Sequence, residues 1–239
     1  GIPAQIYGSI EGIANTVQDG TFGTAQGANQ ARANVDKRTS QATYFPRSLG
    51  GQQVVQDSLA ASLGVSRVPL REALKVLEGE GQVTYHPHRG YFVADLSVED
   101  LVEVYRIRSL LEDEAIRVGV PLLTDEDIEY LEDILNDVEA AAKSQDVSAV
   151  TAANRRFHFA LFEASNMPRL VRLIKNQWDA TDAYRGVYFA APANLAHMNQ
   201  EHRTMVAALK ARDVEKSIAL QAAHRENSVS VVSQVIKKP

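Results

Sequence analysis

The sequence predicts a mainly α-helical protein in two parts. An N-terminal helix-turn-helix unit is completed by a two-stranded hairpin, its wing, and an all-α antiparallel helical bundle follows. Three observations carry this reading. The stretch "LAASLGVSRVPLREALKVLEGEG", Leu59 to Gly81, holds two short helical patterns around Gly64. Two β-prone stretches, Gln82–His86 and Tyr91–Ala94, then flank the turn sequence "HPHRG". After Leu96 the apolar residues recur at helical spacing almost to the end of the chain.

Residues 1–53 are the least patterned. Ile10, Ile13, Ala14 and Val17 have helical spacing, Ser9 is a candidate cap, and Asp19-Gly20 a candidate stop. The following run, "TFGTAQGANQARANVDKRTSQATYFPRSLGG", is rich in Gly, Ala, Asn, Gln, Ser and Thr. It reads as a loop or arm, with a weaker helical candidate within 31–44. From Val54 the signals sharpen. A short helix over Asp57–Leu63 stops at Gly64, and Ser66 and Pro69 suit the cap and first turn of the next. That second helix ends near Gly79 and Gly81, and Pro87 and Gly90 supply the hairpin turn.

In the bundle, Ser97 opens a helix with Leu101, Val104, Tyr105, Ile107, Leu111 and Ala115 on its apolar face, and Pro121 ends it. Thr124 opens another carrying Ile128, Leu131, Leu135 and Val138. Further helices are expected over 147–164, 168–189, 193–211 and 213–236, giving six in all. The expected division is 1–53 for the atypical N-terminal segment, 54–95 for the winged unit, and 97–236 for the bundle.

Composition narrows the function classes. The 239 residues contain no Cys, which excludes disulfides, thiolate metal sites and a cysteine nucleophile. No apolar run is long enough to cross a bilayer and no signal peptide opens the chain, so a cytoplasmic protein without a membrane partner is expected. The net charge of -5 looks wrong for a nucleic-acid partner, but it is unevenly spread. Residues 1–96 hold eight basic and eight acidic side chains, and the remainder holds 17 against 22.

On a helical wheel with Leu70 at zero, Ala73, Leu74 and Leu77 form a core-facing stripe. Arg67, Arg71 and Lys75 form a cationic stripe along its flank. A helix, a Gly-centred turn and a helix with cations toward its N-terminal end is the layout whose second helix enters the DNA major groove. His88, Arg89 and Gly90 lie at the hairpin tip, where they can reach a neighbouring groove or phosphate. Taken alone, the basic stripe reads more readily as a solvated face. The ordered set of helix, turn, basic helix and basic-tipped hairpin points to DNA.

The segment "LAASLGVSRVPLREALKVLEGEGQVTYHPHRGYFVADLS" resembles the winged-helix signature of GntR-type transcription regulators, and "GVSRVPLREAL" is its most specific part. The helical remainder looks like the ligand-sensing domain of the FadR subfamily, and six bundle helices resemble its VanR-like branch. The resemblance covers residues 54–236. It implies that Arg67 and Arg71 contact the operator, that Ser66 and Pro69 shape the helix start, and that His88, Arg89 and Gly90 form the wing tip. Residues 1–53 depart from the family pattern: "YFPRSLGG" stands where a "G-x-x-x-P-G" type turn is placed.

Asn154 and His158 are one turn apart on one helix, with His202 and His224 on two later ones. Neutral imidazoles from three packed helices suit Zn, Ni or another divalent metal. Spacing cannot show that they converge, and each His taken singly fits a core or surface role. The "Asn/Asp-x-x-Phe-His … Glu-His-Arg … His" series resembles a metal-dependent subset of these sensors, which implies Asn154, His158, His202 and His224 as ligands. A small organic acid would complete the coordination. Arg108, with Glu112 one turn on, reads either as a surface ion pair or, by the resemblance, as a cavity residue gripping a carboxylate. Tyr105, Tyr184, Arg185 and Tyr188 are further candidates for the pocket wall.

The leading expectation is a DNA-binding transcription regulator and not an enzyme. It would be a homodimeric repressor on a palindromic operator, with a metal and a small carboxylate in its bundle. A helical-bundle metalloenzyme is the alternative, though no Glu-x-x-His pair or His-Glu-x-x-His segment supports it. A helical interaction module with a vestigial head is a third reading.

Overall fold

The computed structural model describes residues 10–11, 13–15, 51–79, 81–94, 97–189 and 191–236. The chain divides into two compact units, residues 1–95 and 96–239.

In the first unit, residues 10–11 and 13–15 are helical. Ile10 and Ala14 are fully buried in one core with Leu59, Leu70, Leu74, Leu77, Val83 and Val93. The apolar spacing read at Ile10 and Ala14 thus belongs to a core helix. Val17 and the helical candidate within 31–44 lie outside the described residues. Helix α1 (Gln56–Leu63) ends at Gly64, whose φ of 68° is left-handed and strained for any residue with a Cβ. The Val65 N–H returns to the Ala60 carbonyl across that turn.

Helix α2 (Arg67–Gly79) buries Pro69, Leu70, Ala73, Leu74 and Leu77. It closes with the same motif: Gly81 N–H donates to Glu78 O and Gln82 N–H to Leu77 O. Strands β1 (Val83–His86) and β2 (Gly90–Val93) pair antiparallel, with Val83 opposite Val93 and His86 opposite Gly90. Residues 51–54 add a short edge that the sequence does not announce: Gln53 bridges to Phe92, and Val54 N–H donates to Tyr91 O.

The second unit is a helical bundle. Its elements are α3 (Val98–Gly119), a 3-10 turn (Val120–Leu122), α4 (Asp125–Lys143), α5 (Val147–Glu163), α6 (Pro168–Ala180), α7 (Asp182–Phe189), α8 (Pro192–Lys210) and α9 (Val214–Ile236). Ser97 caps α3 by accepting from Asp100 N–H, and Thr124 with Asp127 forms a reciprocal capping box on α4. Helix α3 packs on α5, α6 and α9, while α4 packs on α5 and α8. Phe157, Phe162, Leu131, Ile116, Trp178 and Met205 share the core.

Two expectations need correction. The bundle has seven helices among the described residues, not the six on which the VanR-like likeness was drawn, because the helix expected over 168–189 breaks at Thr181. There the Thr181 hydroxyl donates to the carbonyls of Gln177 and Trp178, and Arg185 donates to both the Thr181 hydroxyl and Trp178 O. These side-chain bonds occupy carbonyl groups that a continuous helix would use. The second correction concerns α3. Ile107 is exposed, and the buried stripe runs Leu101, Tyr105, Arg108, Glu112 and Ala115, with a charged pair in its middle.

Candidate functional site

On the winged unit, Ser66, Arg67, Arg71 and Lys75 are exposed, whereas Pro69 is buried. Pro69 therefore fixes the start of α2 from within the core and has no free surface for DNA. Arg67 Nε lies 2.7 Å from Asp57 Oδ1 on α1, and Lys75 Nζ lies 2.8 Å from Glu72 on its own helix. Both pairs are solvent-exposed, so each holds its cation by a fraction of a kcal/mol and yields readily to a phosphate. At the wing, His86 O accepts from Arg89 N–H, His88 adopts a left-handed φ of 63°, and Gly90 one of 88°. His88 and Arg89 are exposed; the Arg89 guanidinium sits 5.1 Å from the Phe92 ring centre, and its backbone carbonyl accepts from Gln53.

In the bundle, three helices bring their histidines to one point. His158 from α5, His202 from α8 and His224 from α9 are buried, and one ring nitrogen from each lies within 4.8 Å of the others. His158 Nε2 and His202 Nε2 are 3.2 Å apart. Two nitrogens each about 2.1 Å from one ion would stand about 3.0 to 3.4 Å apart for angles between octahedral and tetrahedral, so this pair fits a shared metal. Asn154, one turn before His158, is buried too, and its Oδ1 has no hydrogen-bond partner. An uncompensated buried amide oxygen is costly, and a cation would satisfy it.

Burial, reinforced by the other two imidazoles, holds His158 well below its ordinary value of 6.5; burial beside His224 does the same for His202. Both rings are neutral at physiological pH, the form that binds a metal. Phe157 packs on both rings, at 5.3 Å from His158 and 4.6 Å from His202, and keeps that side dry.

Glu201 supplies the outer support. Its Oε2 is 2.7 Å from His224 Nδ1, which leaves Nε2 of that ring for a metal. Its Oε1 meets Asn227 Nδ2 and exposed His197. His197 thus stands one step behind the cluster. The carboxylate–imidazole arrangement fixes the tautomer and orientation of the ring. Glu201→Gln is expected to weaken Zn or Ni affinity about 10- to 100-fold, measured by competition with a chromogenic chelator, whereas His197→Ala leaves it within about twofold.

A small pocket opens beside the cluster, lined by Asn154 and His224 together with Tyr105, Arg108, Trp178, Arg185, Tyr188 and Arg225. Four of the five candidate wall residues therefore meet here. Tyr184 does not: its hydroxyl donates to Asp100 and accepts from Ser97 N–H, tying α7 to the start of α3. Two guanidiniums stand against the Trp178 ring, Arg108 at 4.4 Å and Arg185 at 4.5 Å from its centre. Burial, with the Arg108 charge nearby, pulls Arg185 down to about 9. A pocket that crowds buried cations in this way favours an anion.

Glu112 holds one side of this pocket. Fully buried, it accepts from Arg108 Nε (2.8 Å), Trp178 Nε1 (2.7 Å), Gln221 Nε2 (2.9 Å) and Arg225 Nη1 (2.9 Å). Burial alone would raise its carboxyl, but Arg108, Arg225 and these hydrogen bonds outweigh that and hold it at about 2. Arg225, Trp178, Gln221 and Glu201 escaped the sequence reading. Two signals were available: Arg225 adjoins His224, and Arg108 and Glu112 fall in the core phase of α3.

Two family profiles match the chain: "Bacterial regulatory proteins, gntR family" over residues 48–93, and the FCD domain over 103–227. The second spans every histidine, arginine and tyrosine of the bundle site. The regulator McbR of Escherichia coli is 29% identical over 186 residues, 77% of this chain and 84% of McbR. A probable D-xylose utilization operon repressor of Paenarthrobacter nicotinovorans is 31% identical over 171 residues, 69% of this chain and 72% of the repressor. The solved structure of E. coli McbR superposes with a TM-score of 0.73 at 27% identity, covering 87% of this chain and 97% of McbR. These relatives are regulators and not enzymes. With a winged head, a helical bundle and both family profiles in sequence order, this chain belongs to the GntR family of DNA-binding transcription regulators and carries an FCD effector-sensing domain.

Proposed function

We propose that this regulator is a cytoplasmic homodimeric repressor whose bundle binds one divalent transition metal, Zn or Ni, and a small carboxylate that together modulate operator binding. The observation that carries the reading is the convergence of three buried imidazoles and an unpartnered Asn154 oxygen beside a pocket rich in arginine. Asn154, His158, His202 and His224 would hold the ion, which supplies a Lewis-acidic seat for a carboxylate oxygen. Arg108 and Arg185 orient the anion, Tyr105 and Tyr188 wall the pocket, and Phe157 excludes water from the cluster. The effector acts by binding one arrangement of the protein more tightly than another.

On the DNA side, Ser66, Arg67, Arg71 and Lys75 of the second helix and His88, Arg89 and Gly90 of the wing are assigned to the operator. Pro69 is assigned to shaping the helix. Twofold symmetry of a dimer predicts an inverted-repeat site. The test is fluorescence anisotropy on a duplex selected from a random library. Metal-loaded protein is expected to release that duplex when a panel of small hydroxy- and dicarboxylates is added, and chelator-treated protein to respond far less. Release by none of the acids, or release independent of metal, would overturn the metal-assisted mechanism. In the same assay, Arg71→Ala is expected to lower affinity roughly tenfold and to reduce the slope of log K against log salt by about 1.

A further inference from the structure

The first turn of α2 carries an apolar side chain that the fold does not use. Val68 is 68% exposed, although it lies one residue from buried Pro69 and two from buried Leu70. On the helical wheel it stands about 160° from Leu70, between the directions of Lys75 and Glu72 and about 60° from that of Arg71. It therefore projects from the middle of the outward face, and it does so at the N-terminal end of the helix, the end that meets base edges in this architecture. A β-branched residue is a poor helix former, and an exposed one gains no packing to offset that. Its neighbours on the same turn are charged or polar: Ser66 precedes Arg67, which Asp57 draws toward α1, and Arg71 follows one turn on. An isolated apolar group within a cationic surface is poorly suited to a protein partner, which would need a contiguous apolar patch. It matches the one apolar group that a base pair displays in the major groove, the C5-methyl of thymine.

We propose that Val68 is a base-reading residue whose methyl groups pack on the 5-methyl of a thymine in each half of the operator, beside the positions gripped by Arg67 and Arg71. The assignment rests on the reading of α2 as the recognition helix. It makes thymine preference at one position a property of a side chain with no hydrogen-bonding group.

The test uses the full-length protein and sites selected from a random duplex library, for the wild type, Val68→Ala and Val68→Ser. The exposure of Val68 predicts unchanged melting by circular dichroism for both variants, so that loss of binding is not loss of fold. Wild-type sites are expected to hold one strongly preferred thymine per half-site, and replacing that thymine with deoxyuridine, which lacks only the methyl group, should weaken binding about three- to fivefold per half-site. Val68→Ala should bind the thymine and uracil duplexes within about a factor of 1.5 of each other, with the selected guanines unchanged. If uracil is tolerated at every thymine of the wild-type site, or if Val68→Ala is as sensitive to it as the wild type, the thymine contact is wrong while α2 remains the reading helix. If no enriched site emerges from the selection, the recognition-helix reading itself fails, and this assignment with it.

Discussion

Purified protein is expected to carry about one divalent ion per chain by elemental analysis, and the double variant His158→Ala/His202→Ala to carry none even after incubation with Zn or Ni. The size of the effect follows from the geometry. The two Nε2 atoms stand 3.2 Å apart in a site walled by Phe157, so removing both imidazoles leaves a single histidine and one amide oxygen. No such remnant holds a transition ion against a chelator. A thermal measurement separates loss of metal from loss of fold. The wild type should gain about 2.7 kcal/mol when free metal reaches a hundred times its Kd, and the folded variant should gain nothing. Metal retained at full stoichiometry by the double variant would place the ion elsewhere. Absence of metal from the wild type under all loading conditions would remove the metal from the mechanism and leave an arginine-lined anion pocket.

The second large effect is at Glu112. Glu112→Gln is expected to destabilise the bundle by about 3 to 5 kcal/mol, lowering the melting temperature by about 10 °C. The variant keeps the shape of the side chain but removes the charge that four donors from three helices converge on, and leaves Arg108 buried without its carboxylate partner, while Arg225 keeps only Asp113. By contrast, Arg156→Ala, which breaks the exposed pair with Asp137, should cost well under about 1 kcal/mol.

Glu112 also gives the wild type a pH signature. Its carboxyl is held at about 2 in the folded state against an ordinary 4.5, so the unfolded chain binds the proton first as pH falls. Its contribution, on the order of 3 kcal/mol, is fully present above about pH 4.5 and lost as pH falls toward 2. Urea titrations at stepped pH should show a steeper loss of stability over that window in the wild type than in Glu112→Gln. Equal slopes in the two proteins would mean that the carboxylate is not charged in the fold.

Legibility differed between the two units for a physical reason. The winged head is built from local signals: a left-handed glycine at Gly64, a proline in the first turn of α2, and an apolar stripe at 3.6 spacing. Each acts over fewer than five residues, so a linear reading finds it. Non-local pairing escaped that reading, as with Gln53 against Phe92. In the bundle, element positions were equally plain from caps such as Thr124 with Asp127. The break at Thr181 was not, because nothing in "WDATDAYRG" forbids a continuous helix. It depends on Arg185 folding back onto Thr181 and the Trp178 carbonyl.

The sequence by itself determined the two-part helical architecture, the exposed basic face of α2 and the candidate histidines on three separate helices. Helical periodicity assigns each residue a direction from its own axis, and that is enough to sort core from surface. Which directions meet is a property of how α3, α5, α6, α8 and α9 pack against one another. Only the tertiary structure decided that His158, His202 and His224 face one point, that Glu201 stands behind His224, and that Arg108 and Glu112 form a buried strut rather than a surface pair. It also turned Tyr184 away from the pocket and brought Arg225 into it. The packing then fixed the chemistry: burial and the neighbouring imidazoles hold His158 and His202 neutral, while Arg108, Arg225 and the hydrogen bonds around Glu112 keep its carboxylate ionised against the cost of burial.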